Sequence, residues 1–152
     1  MYYKGTYKLK NRQKYKGDPT KIKYRSSWEL KFMIYCDTKD IVEKWSSEKI
    51  HIPYISSINN GKRRRYIVDF WMKLKSGTEY LIEIKPKKQT SQPKPPKHKS
   101  QKSLHNYLYS KLMFENNKDK WAAAGSFAKQ NNMIFKIATE EDLKKWGIDV
   151  TR

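Results

Sequence analysis

Residues 66 to 86, YIVDFWMKLKSGTEYLIEIKP, constrain the fold more than any other stretch of the chain. Two runs rich in β-branched and aromatic residues flank Lys75-Ser76-Gly77, a short connection with the glycine that a tight hairpin requires. With a three-residue loop and Gly77 in the left-handed conformation, Asp69 lies opposite Glu83. Opposite residues share a face, with Cβ atoms about 5 Å apart. Side chains alternate along a strand, so Lys85 joins Glu83 on that face while Ile82 and Ile84 point to the other. A two-residue turn at Ser76-Gly77 would instead set Asp69 opposite Ile84 and stagger the acids.

Like charges directly opposite one another on a sheet are destabilising, so two facing carboxylates need a reason. A divalent cation supplies one, since Mg²⁺ takes oxygen ligands and often only one or two carboxylates. Bound there, it would activate a water and polarise a phosphoryl oxygen. The plainer alternative is a solvated hairpin face with a salt bridge. The pattern acid, any residue, lysine occurs four times in the chain, at Glu29/Lys31, Asp37/Lys39, Glu83/Lys85 and Asp142/Lys144, and by itself says little. Glu83 differs in standing between Ile82 and Ile84 in an apolar strand. Spacing alone leaves both readings standing.

The length of 152 residues suits one domain with a real core. Against 15 Asp and Glu stand 34 Lys and Arg, a formal net charge of +19, which points to a polyanionic partner. Nucleic acid is the first candidate; a membrane is not expected, because nothing reads as a transmembrane span or an apolar signal segment. The single cysteine, Cys36, cannot form an internal disulfide and fits a reducing cytoplasm. His51, His98 and His105 show no zinc-ligand spacing with it.

Residues 1 to 25 hold nine Lys or Arg, including Arg25, one acid and five interleaved tyrosines. They read as a basic arm, irregular or partly extended, that meets phosphates with its cations and sugars or bases with its rings. The alternative is that the tyrosines pack the arm onto the domain while the lysines stay solvated. Ser26-Ser27-Trp28-Glu29 then opens a helix that should end near Asp37. Glu29 fits a capping box, its carboxylate reaching back to the Ser26 amide, and the sequence alone favours that role over lending an acid to the hairpin site, directly or through water. Two short strands follow, over 41–47 and 50–58, with Pro53 marking an edge. Asn59-Asn60-Gly61 is a turn, and Lys62, Arg63, Arg64 and Arg65 enter the Asp69 strand, well placed to hold a phosphate backbone against the acids.

Residues 86 to 105 contain four prolines, six lysines and no acid. Such a segment buries too little to order itself, and a flexible basic clamp for DNA is expected there, with Lys87, Lys88, Lys94, Lys97 and Lys99 at its phosphate contacts. A short helix is expected over 106–115, with Leu108, Leu112 and Met113 inward. A firmer one over 117–131 sets Trp121, Ala124, Gly125 and Ala128 on one stripe, where small residues permit close packing. Met133 to Ala138 reads as a buried strand, and Thr139-Glu140-Glu141-Asp142 opens a last helix with the acidic first turn that the macrodipole favours. This order describes an α/β fold, one mixed central sheet flanked by helices.

An acid on the first helix, Asp69 on one strand, Glu83-Ile84-Lys85 on the next and a helix and strand beyond together resemble the PD-(D/E)XK nuclease superfamily, with Val68 where the motif's name has proline. Within it, Tyr24-Arg25-Ser26-Ser27-Trp28-Glu29-Leu30-Lys31-Phe32, Trp45-Ser46-Ser47-Glu48, Ile52-Pro53-Tyr54, Tyr80-Leu81-Ile82-Glu83-Ile84-Lys85-Pro86 and Lys120-Trp121 resemble the head completion nucleases of tailed bacteriophages. The endonuclease subunit of heteromeric transposases is a more distant likeness.

The resemblance implies a restriction-endonuclease-like core and an endonuclease that cuts DNA with Mg²⁺ or Mn²⁺, processing the packaged DNA end in the host cytoplasm before the tail joins. It also implies contact with portal or head proteins and retention in the virion. Asp69 and Glu83 would be metal ligands, Glu29 would contribute to the metal site, and Lys85 would orient or deprotonate the attacking water. A second reading, a structural DNA-binding plug at the portal, predicts salt-dependent binding without nicking. A third, an RNA-binding protein of ribosomal type, leaves the facing carboxylates without a use.

Overall fold

The computed structural model describes residues 3–151. Its elements, in chain order, are β1 (Gly5–Thr6), β2 (Lys23–Tyr24), α1 (Ser27–Thr38), β3 (Val42–Ser47), β4 (His51–Ser56), β5 (Lys62–Ile67), β6 (Phe70–Leu74), β7 (Glu79–Ile84), α2 (Gln101–Gln130), β8 (Ile134–Ala138) and α3 (Glu140–Lys145). The central sheet runs β3-β6-β7-β8. Strands β3, β6 and β7 pair antiparallel, as the short connection between β6 and β7 permits. Strand β8 is parallel to β7, and the crossover that such a pair needs is α2. Strands β4 and β5 form a separate hairpin in which Pro53 sits opposite Arg65, an edge position that spares the missing amide.

Alternation along β7 builds a core on each face of the sheet. Ile82 joins Phe70 and Met72 against Phe32, Met33 and Cys36 of α1 and Leu143 of α3. Leu81 turns the other way, to Ala124 and Ala128 of α2 and to Ile52, Tyr54, Tyr66 and Val68 around the β4–β5 hairpin. The expected mixed sheet between helices is therefore the architecture found.

The N-terminal segment packs onto this body through its rings. Tyr7 and Ile22 are buried, Tyr15 lies edge-on to Trp45 with centroids 4.7 Å apart, and the Tyr7 hydroxyl donates to the buried Asp37 carboxylate at 2.6 Å. Lys8, Lys10, Arg12 and Lys16 stay exposed. Tyr2, one of the five tyrosines expected on this arm, lies outside the described residues.

Four expectations are corrected. The stretch taken as one loop over 86–105 is irregular only to Ser100, apart from a 3-10 turn at Lys87–Gln89; Ser100 then caps α2 reciprocally with Ser103. The two helices expected over 106–115 and 117–131 are one helix, because no Gly or Pro interrupts residues 101–124 and the Asn116-Asn117 pair is too weak a break. Leu108, Leu112 and Met113 are exposed, since that half of α2 extends past the sheet, and Gly125 faces open space rather than the packed stripe. Strand β8 is only half-buried, as befits the last strand of the sheet.

Candidate active site

The β6–β7 connection sets the geometry. Gly77 takes φ +96°, its N–H donates to the Leu74 carbonyl at 2.9 Å, and the Leu74 N–H donates to the Thr78 carbonyl at 2.9 Å. This three-residue loop pairs Lys73 with Glu79 and Phe70 with Ile82, so the next position along brings Asp69 to Glu83. The chain bends at Asp69 as it passes from β5 into β6, and the bend is held from two sides. The Asp69 carboxylate accepts the Ile84 N–H at 3.0 Å, and its carbonyl accepts the Glu48 N–H at 3.0 Å.

Glu83 is only 6% exposed, and Asp69 is half-buried. Among the described residues, no Lys, Arg or His forms an ion pair with Asp69, Glu83 or Glu29. In a chain of net charge +19 such neglect is informative, and with the burial of Glu83 it counts against a solvated face with a salt bridge. Burial, then the Glu83 charge, pushes the Asp69 carboxyl well above the usual carboxylate range, against the Ile84 hydrogen bond. Glu29 contributes to the same push.

Glu29 stands in the first turn of α1, and its own carboxyl is raised by burial in spite of Arg25 and Ser26. The cap it forms is half of the expected box. Ser26 Oγ accepts the Glu29 N–H at 3.1 Å, but the Glu29 carboxylate takes the Ser26 hydroxyl at 3.3 Å. The full reciprocal cap is not formed, and the acid remains within electrostatic reach of Glu83. Lys85 is half-buried one residue past β7, where its N–H donates to the Ala138 carbonyl at 3.1 Å and continues the pairing with β8.

The donor set was tested against a metal. Among the described residues no three His, Cys, Asp or Glu side chains form a group that could hold an ion. Asp69 and Glu83 offer two carboxylates, a number that suits Mg²⁺ with water and phosphate completing the shell.

The cations expected to meet DNA divide into two sets. Lys62, Arg63, Arg64 and Arg65 are exposed along β5 and, among the described residues, make no ion pair; Lys88, Lys94, Lys97 and Lys99 are exposed between β7 and α2. Arg25 and Lys87 already have partners. Arg25 pairs with Glu48, and Lys87 pairs with Glu141 at 2.9 Å while its N–H donates to Glu140 at 2.7 Å. Both are exposed, and each is tied to an acid of the fold.

Two residues beside the acids escaped the sequence reading. Glu48 reaches the Asp69 backbone from a left-handed conformation, φ +53°, rare for a residue with a side chain. Tyr66, 3% exposed on β5, has a hydroxyl raised by burial and then by the Glu83 and Asp69 charges. The sequence signal for Glu48 was its place in the Trp45-Ser46-Ser47-Glu48 block, and that for Tyr66 its nearness to Asp69.

The chain belongs to the TnsA-like endonuclease N-terminal family, whose pattern matches residues 39–140, and that membership makes it a nuclease. Its core is restriction-endonuclease-like. Over 147 residues, covering 97% of both proteins, it is 42% identical to the head completion nuclease of Enterobacteria phage T4, and it belongs to that family too. No solved structure matches the chain. No helix among the described residues is long and apolar enough to cross a membrane.

Proposed function

We propose that this nuclease is a Mg²⁺- or Mn²⁺-dependent DNA endonuclease of the PD-(D/E)XK type, acting on packaged DNA during phage head completion. The observation that carries the reading is Glu83, buried, facing Asp69, and paired with no cation among the described residues. Asp69 and Glu83 would hold the ion, and Glu29 would reach it through water. When bound, the ion would polarise a phosphoryl oxygen and acidify a coordinated water. Lys85 would orient that water or take its proton. The exposed cations of β5 and of residues 88–99 would hold the DNA backbone, neutralising phosphates in a salt-dependent way.

The name of the T4 relative supports a role in head completion; the setting we propose for it is the assembling head in the host cytoplasm, with portal or head proteins as neighbours and the protein kept in the virion. Nicking of supercoiled plasmid in Mg²⁺, set beside DNA binding in EDTA, tests the reading. Glu83→Gln and Lys85→Ala should each lose at least ~10²-fold in nicking and keep their binding. Nicking by both variants at the wild-type rate overturns the proposal. Tight binding without nicking by the wild type would point to a DNA-binding plug instead.

A further inference from the structure

A second polar group is buried beside the acids. The Tyr66 hydroxyl, deep between β5 and α2, has no hydrogen-bond partner in the protein. Tyr66 packs in one cluster with Leu81, which shares a face of β7 with Glu83, and the Glu83 and Asp69 charges both act on its hydroxyl. A phenylalanine would fill the same space without stranding a donor, so packing does not explain the oxygen. The ring is also held from the far side, with Lys120 Nζ of α2 5.7 Å from its centroid.

The possible acceptors are few. Asp69 already takes the Ile84 N–H, whereas the Glu83 carboxylate forms no ion pair among the described residues and is the acceptor within reach of the Tyr66 hydroxyl. A buried hydroxyl without a well-formed hydrogen bond therefore stands beside a buried carboxylate without a cation among the described residues. Trp45 and Trp121 also bury an indole N–H without a partner, and Trp45 lies in the core on the other face of the sheet.

We propose that Tyr66 is a positioning residue of this site: its neutral hydroxyl donates to the Glu83 carboxylate once a divalent cation draws that group into place, and so fixes the orientation in which Glu83 ligates. The inference rests on the metal-dependent reading above. Partners that orient a metal ligand in this way commonly change affinity by about 10- to 100-fold when removed.

The test is Tyr66→Phe, with Mn²⁺ binding followed by calorimetry without DNA and thermal unfolding followed in EDTA. Mn²⁺ affinity should fall ~10- to 100-fold. The metal-free midpoint should stay level or rise, because a stranded donor is gone. Equal Mn²⁺ affinity in variant and wild type overturns this inference and leaves the nuclease reading intact. A lower metal-free midpoint overturns it as well, by assigning the hydroxyl a structural partner. Wild-type protein that binds no Mn²⁺ overturns the metal-dependent reading and this inference with it.

Discussion

Glu48 donates its backbone N–H to the Asp69 carbonyl at 3.0 Å while its own φ is +53°. The left-handed conformation costs a residue with a Cβ roughly 1 to 2 kcal/mol. Its side chain recovers little, since the ion pair with Arg25 is partly exposed and such pairs contribute about 0 to 1 kcal/mol. Glu48→Gly should therefore fold within about 1 kcal/mol of wild type, and Glu48→Val should lose roughly 1 to 3 kcal/mol. Urea denaturation of the two variants compares them directly.

Asp69 sets the pH dependence of the metal-free protein. Burial and the Glu83 charge raise its folded carboxyl above the unfolded value. Its stability is fully present below the ordinary carboxylate range and is lost as pH rises towards and through the raised folded value. Asp69→Asn should unfold at a higher temperature than wild type in EDTA at about pH 7, with the gap closing near pH 4. Adding Mg²⁺ should stabilise wild type and leave the variant unmoved. A wild-type midpoint in EDTA above that of Asp69→Asn at neutral pH would contradict the argument.

The exposed cations of β5 should act through phosphate alone. Arg63→Ala and Arg64→Ala should each lower the salt dependence of DNA binding by about one unit of log–log slope. Neither should change stability by more than about 0.5 kcal/mol, because both are exposed and unpaired among the described residues. Fluorescence anisotropy across a salt series gives the slope.

Asp142 closes the cap of α3, accepting the Thr139 N–H at 2.9 Å and pairing with Lys136 at 3.3 Å. Burial opposes its charge, but these bonds win and hold the carboxyl below its usual value. Its contribution is present above the unfolded carboxylate value and is lost as pH falls through the lowered folded one. Asp142→Ala should cost about 1 kcal/mol at neutral pH and much less in acid. Thermal unfolding at the two pH values checks the difference.

The hairpin was legible but its register was not fully so: Lys75-Ser76-Gly77 fitted a three-residue loop or a two-residue turn at Ser76-Gly77, and the Leu74–Thr78 hydrogen bond selects the first, which brings Asp69 to Glu83. Glu48 and Tyr66 were not legible. What marks Glu48 is a backbone angle, and what marks Tyr66 is a buried oxygen without a partner; both arise only when distant strands meet. Periodicity misled at Leu108 and Leu112, since a stripe records which side chains could be buried and not whether a neighbour is there to bury them. It served well at Ala124 and Ala128, where the hairpin and the sheet supply that neighbour.

Helix α2 unites these two cases in one element of 30 residues, about 45 Å long at ~1.5 Å per residue. Its buried side chains, Ala124 and Ala128, both lie in the last quarter, and nearly every residue before Phe114 is exposed. Opening the first turns uncovers almost no core, whereas opening the last ones breaks the packing behind β7. Amide protons should therefore exchange at rates that fall steadily from Leu104 to Ala128, so a single continuous helix spans the range from local fraying to global unfolding.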